Sequence, residues 1–156
     1  LSGERTPHND PYIRGSFHSM KTTTNATNLQ YAVIEGISFG ILDGVNSILK
    51  VNNNFEKIFM VGGGSKSKFW IELLASLLNR KLSVCDQSEF GAALGVARLS
   101  MYVDKNIDTK ENIIKEINVS KSFNPNQDKI DLLLKRYNIW RDIYSSNKKI
   151  ASNLLA

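Results

Sequence analysis

The spacing of apolar residues along the chain predicts short strands alternating with longer helices. Apolar runs at 58–61 and 81–86 have the length of buried strands. Elsewhere, apolar residues recur three or four positions apart, as they do on one face of a helix. This second pattern predicts helices at about 27–51, 67–79, 91–99 and 124–154.

Two further segments complete the predicted order of elements. Residues 16–21 are short and alternate in polarity, which is typical of a strand. Residues 104–124 are polar, and we predict a loop there with one short helix at 109–117. Strands and helices then alternate along the chain, with a helical tail at the end. This order predicts an α/β layered domain.

The long helix predicted at 27–51 carries small residues on one stripe. Gly36, Gly40 and Gly44 repeat every four residues, although each costs about 1 kcal/mol relative to alanine inside a helix. We therefore expect another backbone to approach this stripe closely. A membrane span would share the small-residue spacing. Polar residues interrupt the apolar run and argue against a span: Gln30, Glu35, Asp43 and Asn46.

Two of these polar residues are carboxylates on the same helix. Glu35 and Asp43 lie two helical turns apart, on roughly the same side. One interpretation is a carboxylate pair at a functional site. The interpretation we favour is that both are capping or packing partners of a neighbouring loop.

A run of three glycines at the end of a predicted strand is the strongest functional signal. The apolar run 58–61 leads into Gly62, Gly63 and Gly64, and a polar turn and an amphipathic helix follow. Glycine lets the backbone turn sharply and leaves no Cβ to hold a ligand away. Free N–H groups at a helix start attract phosphate. The passage predicts a nucleotide site, and a plain glycine turn is the alternative.

The local sequence leaves the type of nucleotide site open. A Walker A loop requires Gly-x4-Gly-Lys-Ser/Thr, and this order is absent around Lys66. A Rossmann fingerprint comes closer, with Ser67 in place of its third glycine. Asp86 ends the next predicted strand, about where an acidic residue would meet a ribose roughly 20 residues on. A dinucleotide-binding module is therefore a second interpretation.

Composition narrows the class of protein. With 156 residues, 42% of them hydrophobic, the chain can form one domain with a real core. The net charge of +5 favours anionic ligands. The sequence lacks the interleaved aromatic and basic residues that would indicate nucleic-acid binding. Cys85, the single cysteine, is consistent with a reducing compartment. His8 and His18 have no partners at zinc-ligand spacing. The chain starts at Leu1 and carries no signal peptide, and we expect it to be a fragment.

Three segments of the chain carry recognisable motifs. The first is 1–15, with the run Gly3-Glu4-Arg5-Thr6-Pro7-His8. The second is the helix segment 32–44, Ala-Val-x-Glu-Gly-x-x-Phe-x-x-x-Asp-Gly. The third joins Gly-Gly-Gly-Ser-x-Ser-x-x-Trp at 62–70 with Gly-x-Ala-Leu-Gly-x-Ala-Arg-Leu at 91–99. Together they resemble the FGGY family of carbohydrate kinases and, within it, the xylulokinases.

This resemblance implies an actin/hexokinase/Hsp70-like (ribonuclease H-like) layered fold, with a C-terminal helical tail. Residues 1–156 would form the C-terminal nucleotide-binding domain, one lobe of a two-lobe kinase. The N-terminal lobe, with the sugar site and the catalytic aspartate, would lie outside this sequence. We therefore assign no catalytic residue and no metal ligand here, and we expect the fragment alone to be inactive.

The resemblance also implies the ligands. Gly62, Gly63, Gly64, Ser67 and Lys68 would contact ATP, and Mg²⁺ would accompany it. The whole enzyme would transfer the γ-phosphate of ATP to D-xylulose. Glycerol, ribulose or gluconate are alternative acceptors, and an NAD-binding Rossmann-type module is the remaining alternative. We expect a cytoplasmic protein that binds neither nucleic acid nor membrane, and a homodimer stays open.

Overall fold

The computed structural model describes residues 3–51, 57–86, 88–103 and 118–155, and these contain four helices and three strands. The elements in chain order are α1 Ala26–Leu49, β1 Ile58–Met60, α2 Lys68–Leu78, β2 Leu82–Cys85, α3 Gly91–Val103, β3 Val119–Phe123 and α4 Gln127–Leu155. Short 3₁₀ turns at Gly63–Lys66 and Ser88–Phe90 precede α2 and α3. The helices predicted at about 27–51, 67–79, 91–99 and 124–154 and the two apolar strands are confirmed.

Local capping explains where the first two helices begin and end. Asn25 and Asn28 each accept a hydrogen bond from the other's backbone N–H, at 3.0 and 3.1 Å, and so start α1. Ser67 accepts from the Trp70 N–H at 3.3 Å and starts α2. Asn79 takes a left-handed conformation (φ 47°) and ends α2.

The three strands form one sheet in the order β1-β2-β3. β1 and β2 are parallel, with Ile58 opposite Leu82, and α2 is the crossover between them. β3 is antiparallel to β2, with Phe123 opposite Leu82. Because β1 and β2 are parallel, the turns that follow both strands lie at the same edge of the sheet. The candidate site lies at this edge.

α2 is the centre of the core. One of its faces packs against the sheet, in a cluster of Ile71, Leu74, Ala75, Leu82 and Val84. Its other face packs against α1 and α4, in a cluster of Phe39, Leu42, Leu73, Leu77, Leu133 and Tyr137. The chain therefore forms layers of sheet, α2, and the α1/α4 pair. This confirms the predicted α/β layering with a helical tail.

The strand predicted at 16–21 is wrong. Ser19 has a positive φ of 58°, which interrupts an extended chain. Ser16 and His18 instead contact Asn147 on α4 through their side chains. The alternating pattern of this segment therefore reflects a loop held on a helix, not one half-buried face of a sheet.

The loop predicted at 104–124 is wrong at its end. Residues 119–123 form β3, which is mostly exposed and so lacks the apolar alternation of a half-buried strand. Pairing with β2 forms it, and its Phe123 packs against the sheet cluster. The helix predicted at 109–117 lies outside the described residues.

The two carboxylates of α1 face α4, not a loop. The Glu35 carboxylate is 5% exposed, and Arg136 Nη2 lies 2.6 Å from its Oε2. Asp43 is 6% exposed and accepts a hydrogen bond from the Tyr137 hydroxyl. Both are packing partners, as favoured, but their partner is a helix about a hundred residues further along. Burial raises the pKa of Tyr137, and its hydrogen bond to Asp43 adds to the effect.

α1 is long and apolar enough to cross a membrane by length and composition. Arg136 pairs with Oε2 of the buried Glu35, and Tyr137 donates to the buried Asp43, as expected for polar groups on a core helix of a globular domain. Glu35 Oε1 has no hydrogen-bond partner among the described residues. The expected close approach of another backbone to the glycine stripe is wrong for the described residues. A Cβ at Gly36 or Gly44 would meet side chains at an ordinary 3.7 Å, and at Gly40 nothing within 4 Å.

Candidate functional site

The glycine run forms a tight turn at the edge where β1 ends. Gly62 has φ 81°, a left-handed conformation that side chains disfavour. Its N–H donates to the Ser88 carbonyl at 2.8 Å, and this bond ties the turn after β1 to the turn after β2. The Gly62 carbonyl accepts from the Ser65 N–H at 3.0 Å. The backbone of the turn is therefore fixed from both sides.

Two buried serines stabilise this turn through their hydroxyl groups. The Ser65 hydroxyl donates to the Gly62 carbonyl at 2.7 Å and lies 2.8 Å from the Ser88 hydroxyl. Both serines are nearly inaccessible, at 8% and 6% exposed. Sequence reasoning did not identify this pair, because no local pattern links hydroxyls that far apart in the chain. Satisfied buried polar groups of this kind make the turn rigid.

Gly64 is required by packing. A Cβ there would lie 2.8 Å from the Trp70 ring and 2.9 Å from Met60 Cε. The indole cannot move freely, because its Nε1 donates to the Ser38 hydroxyl on α1 at 2.9 Å. The third glycine thus lets the turn lie against Trp70, and this contact fixes the turn relative to α1 and α2.

Gly63, by contrast, faces open space. A Cβ at this position would meet nothing within 4 Å. Val61, two residues before it, and Phe90, in the turn after β2, are exposed, at 55% and 59%. Gly91 brings the start of α3 against Val61, where a Cβ would lie 3.1 Å from the valine Cβ. The turn therefore presents bare backbone beside exposed apolar side chains. This arrangement suits the face of a planar ring better than it suits a charged group.

Ser67 lies at the turn, but its side chain is already engaged in a hydrogen bond within α2. Its hydroxyl caps α2 by accepting from the Trp70 N–H, and its own N–H donates to the Gly64 carbonyl at 3.1 Å. Lys68 is 77% exposed and its Nζ lies 3.6 Å from Glu72 on its own helix. A second lysine, Lys66, lies 3.8 Å from Glu89 across the two turns. The turn thus has cationic side chains at its rim.

Cys85 and Asp86 follow β2 at the same edge. Burial raises the pKa of the Cys85 thiol, and the charge of Asp86 adds to the effect, so the thiol is not activated as a nucleophile. Asp86 is exposed, and its N–H donates to the Asn118 carbonyl at 3.1 Å. Its position past a parallel strand matches the local Rossmann expectation, so local geometry does not separate the two nucleotide interpretations.

Other features of the described residues do not compete with this site. No group of three or more His, Cys, Asp or Glu among them could hold a metal ion. Two open grooves lie away from the turn, one along α1 beside Thr6 and one between Tyr31, Phe69 and the start of α4. Neither groove includes Gly62, Gly63 or Gly64.

Comparison with known proteins decides between the interpretations. Residues 1–103 match the model of the FGGY family of carbohydrate kinases, C-terminal domain. The chain belongs to this family. Its predicted fold is therefore that of the actin/hexokinase-like kinases, and a separate Rossmann module is ruled out as the family of this domain.

Individual relatives agree with this family. The chain is 33% identical to a xylulose kinase of Staphylococcus epidermidis over 156 residues, which is 99% of this chain and 31% of that protein. It superposes on a xyloylose kinase of Brucella ovis with a TM-score of 0.82 and 30% identity, covering 96% of this chain and 31% of the other. A glycerol kinase of Plasmodium falciparum with ADP, at 21% identity and a TM-score of 0.67, shares the fold, covering 94% of this chain and 29% of the other.

The chain spans about a third of the length of the relatives it matches. The part of the relatives that it matches is the C-terminal domain of the FGGY family, and the residues that match the family model, the family segment, end at 103. α4 lies beyond that segment, although its buried Leu133 and Tyr137 complete the core.

Proposed function

We propose that the glycine turn binds the adenosine part of ATP, and that the whole enzyme phosphorylates D-xylulose. The observation that carries the nucleotide assignment is the open, side-chain-free surface at Gly63 on an otherwise rigid turn. Gly62 and Gly64 shape that turn, and Ser67 starts the helix behind it. Lys68 would be a rim residue, available to an anion if it leaves Glu72. The whole protein would act in the cytoplasm.

The family supports this assignment of the ligand. A kinase of this family takes its phosphate from ATP, and one structural relative contains ADP. Exposed Val61 and Phe90 give a purine apolar contacts beside the glycine backbone. The net charge of +5 would favour approach of a polyanion. These properties fit a nucleotide that lies across the edge of the sheet.

Magnesium would bind with the phosphates and neutralise their charge. We assign no magnesium ligand in this domain. The domain described here would contribute to phosphoryl transfer by positioning ATP and by helping to exclude water when the two lobes close. Domain 1–156 would thus be the nucleotide lobe, with the sugar lobe preceding it.

The sugar is proposed from the relatives named xylulose kinase. The experiment is an assay of the full-length enzyme with Mg-ATP and D-xylulose, ribulose, gluconate or glycerol in parallel. We expect the highest kcat/KM with D-xylulose. One relative, from Plasmodium falciparum, is named a glycerol kinase. If this enzyme also prefers glycerol, the proposed sugar is wrong, and the proposed nucleotide site is unaffected. Failure with every acceptor would reject the kinase proposal.

A further inference from the structure

The N-terminal loop, residues 3–21, has no helix and little core of its own. Among these residues, all of them described, Ile13 alone is a buried apolar residue. One isolated bridge closes the loop, where the Glu4 N–H donates to the Asp10 carbonyl at 2.8 Å. A segment with so little apolar burial opens easily unless polar contacts fix it. Those contacts come from α4.

Tyr144 of α4 makes the first set of contacts. Its ring stacks on the imidazole of His8, with centroids 3.5 Å apart and planes inclined by 13°. Its hydroxyl donates to Asp10 Oδ2 at 3.0 Å. Asp10 Oδ1 also accepts the Tyr12 N–H at 3.0 Å, and Lys148 Nζ lies 3.8 Å from Oδ2. One side chain thus holds two points of the loop.

Asn147, less than one helical turn along α4, makes the second set. Its Nδ2 donates to the Ser16 hydroxyl at 2.7 Å, and its Oδ1 lies 3.2 Å from His18 Nε2. Ser16 and His18 approach each other at 2.7 Å. The loop is therefore held on α4 at two places, residues 8–10 and residues 16–18.

We propose that Tyr144 and Asn147 are positioning residues that hold the N-terminal loop in place for the kinase reaction. The inference rests on the proposed function, because the loop carries the run from Gly3 to His8 that resembles the kinase family. The family segment ends at residue 103, so the residues that hold the loop lie outside it. Thr6, in the middle of that run, forms one wall of the groove along α1.

The loop's charge arrangement supports a fixed conformation. The backbone N–H of Tyr12 lowers the pKa of Asp10, and Tyr144 and Lys148 act in the same direction. The carboxylate is therefore ionised at neutral pH and accepts both hydrogen bonds at once. Glu4 binds the other side of His8, with Oε2 3.1 Å from Nδ1. Loop, carboxylate and α4 form one continuous polar network.

The test uses the full-length enzyme with Tyr144→Ala, Tyr144→Phe and Asn147→Ala. The control is Ile139→Ala, because Ile139 lies on α4 and is 61% exposed. Hydrogen exchange of residues 3–18 reports on the loop, and kcat and KM report on the reaction. We expect Tyr144→Ala to raise exchange in the loop alone and to lower kcat by about tenfold to a hundredfold, the range that a misplacement of about 1 Å produces.

The conservative variant gives the sharper result. Tyr144→Phe keeps the ring that stacks on His8 and removes the hydroxyl bound to Asp10, so we expect a partial rescue of both readouts. Unchanged exchange in Tyr144→Ala, or raised exchange with unchanged kcat, would overturn the proposal. If the unmodified enzyme phosphorylates no sugar, the proposed function fails, and loop exchange then decides separately whether α4 fixes the loop.

Discussion

A polypeptide that ends at Asn126 will not unfold cooperatively, because α4 forms one side of the helical core. Leu133 and Tyr137 are 4% and 6% exposed and pack against α1 and α2. Burying each such side chain contributes about 1.5–3 kcal/mol, and a whole domain is stable by only about 5–15 kcal/mol. The deletion also removes Arg136 and leaves the buried Glu35 carboxylate without its cation.

Thermal unfolding followed by circular dichroism measures this effect. A chain that ends at Lys149 is the matched control, because it keeps every described contact of Leu133, Tyr137 and Tyr144. The segment that it loses is mostly exposed, with Ile150 at 56%. We expect a cooperative transition for residues 1–156 and 1–149 and none for 1–126. A cooperative transition for 1–126 would show that the family segment folds without α4.

Substitution by alanine will affect different properties at two neighbouring glycines of the turn. It will lower stability at Gly64 and ADP affinity at Gly63. Gly64→Ala places a Cβ 2.8 Å from the anchored Trp70 ring, and overpacking of this kind costs about 1–3 kcal/mol. Gly63→Ala meets no atom within 4 Å, so stability should change by less than about 0.5 kcal/mol. The methyl group of Gly63→Ala would, however, occupy the space where we place the nucleotide.

We therefore expect Gly63→Ala to weaken ADP binding by about tenfold or more, equivalent to about 1.4 kcal/mol. Thermal-shift titration of the full-length enzyme measures both quantities, since a ligand at 100 times its Kd stabilises by about 2.7 kcal/mol. Gly64→Ala serves as the comparison, because it lowers the melting temperature without ligand. Unchanged ADP affinity in Gly63→Ala would place the nucleotide elsewhere.

Periodicity predicts the elements whose apolar residues recur regularly along the chain. α2 is an example, since its apolar residues face the sheet on one side and α1 and α4 on the other. The glycine turn could also be predicted, because it combines a strand end, three glycines and a helix start. β3 could not, because most of its residues are exposed and a partner strand alone defines it.

Long-range polar pairs explain the other differences. The sequence favours Glu35 as a packing residue, yet its partner Arg136 is 101 residues away, and no local pattern indicates the pair. Ser65 and Ser88 meet for the same reason, through a tertiary contact between two turns. Among the described residues no backbone approaches the stripe of Gly36, Gly40 and Gly44. Small residues admit a close neighbour without specifying which atoms approach.

The most direct test of the central claim is photo-crosslinking of the full-length enzyme with an azido-adenine derivative of ADP, followed by peptide mapping. If the glycine turn binds adenosine, the label will lie within residues 58–70, and excess ADP or ATP will prevent it whereas excess NAD will not. A label confined to other segments, or one that NAD removes and ADP does not, would contradict the assignment of Gly62, Gly63 and Gly64 as the adenosine site of a sugar kinase.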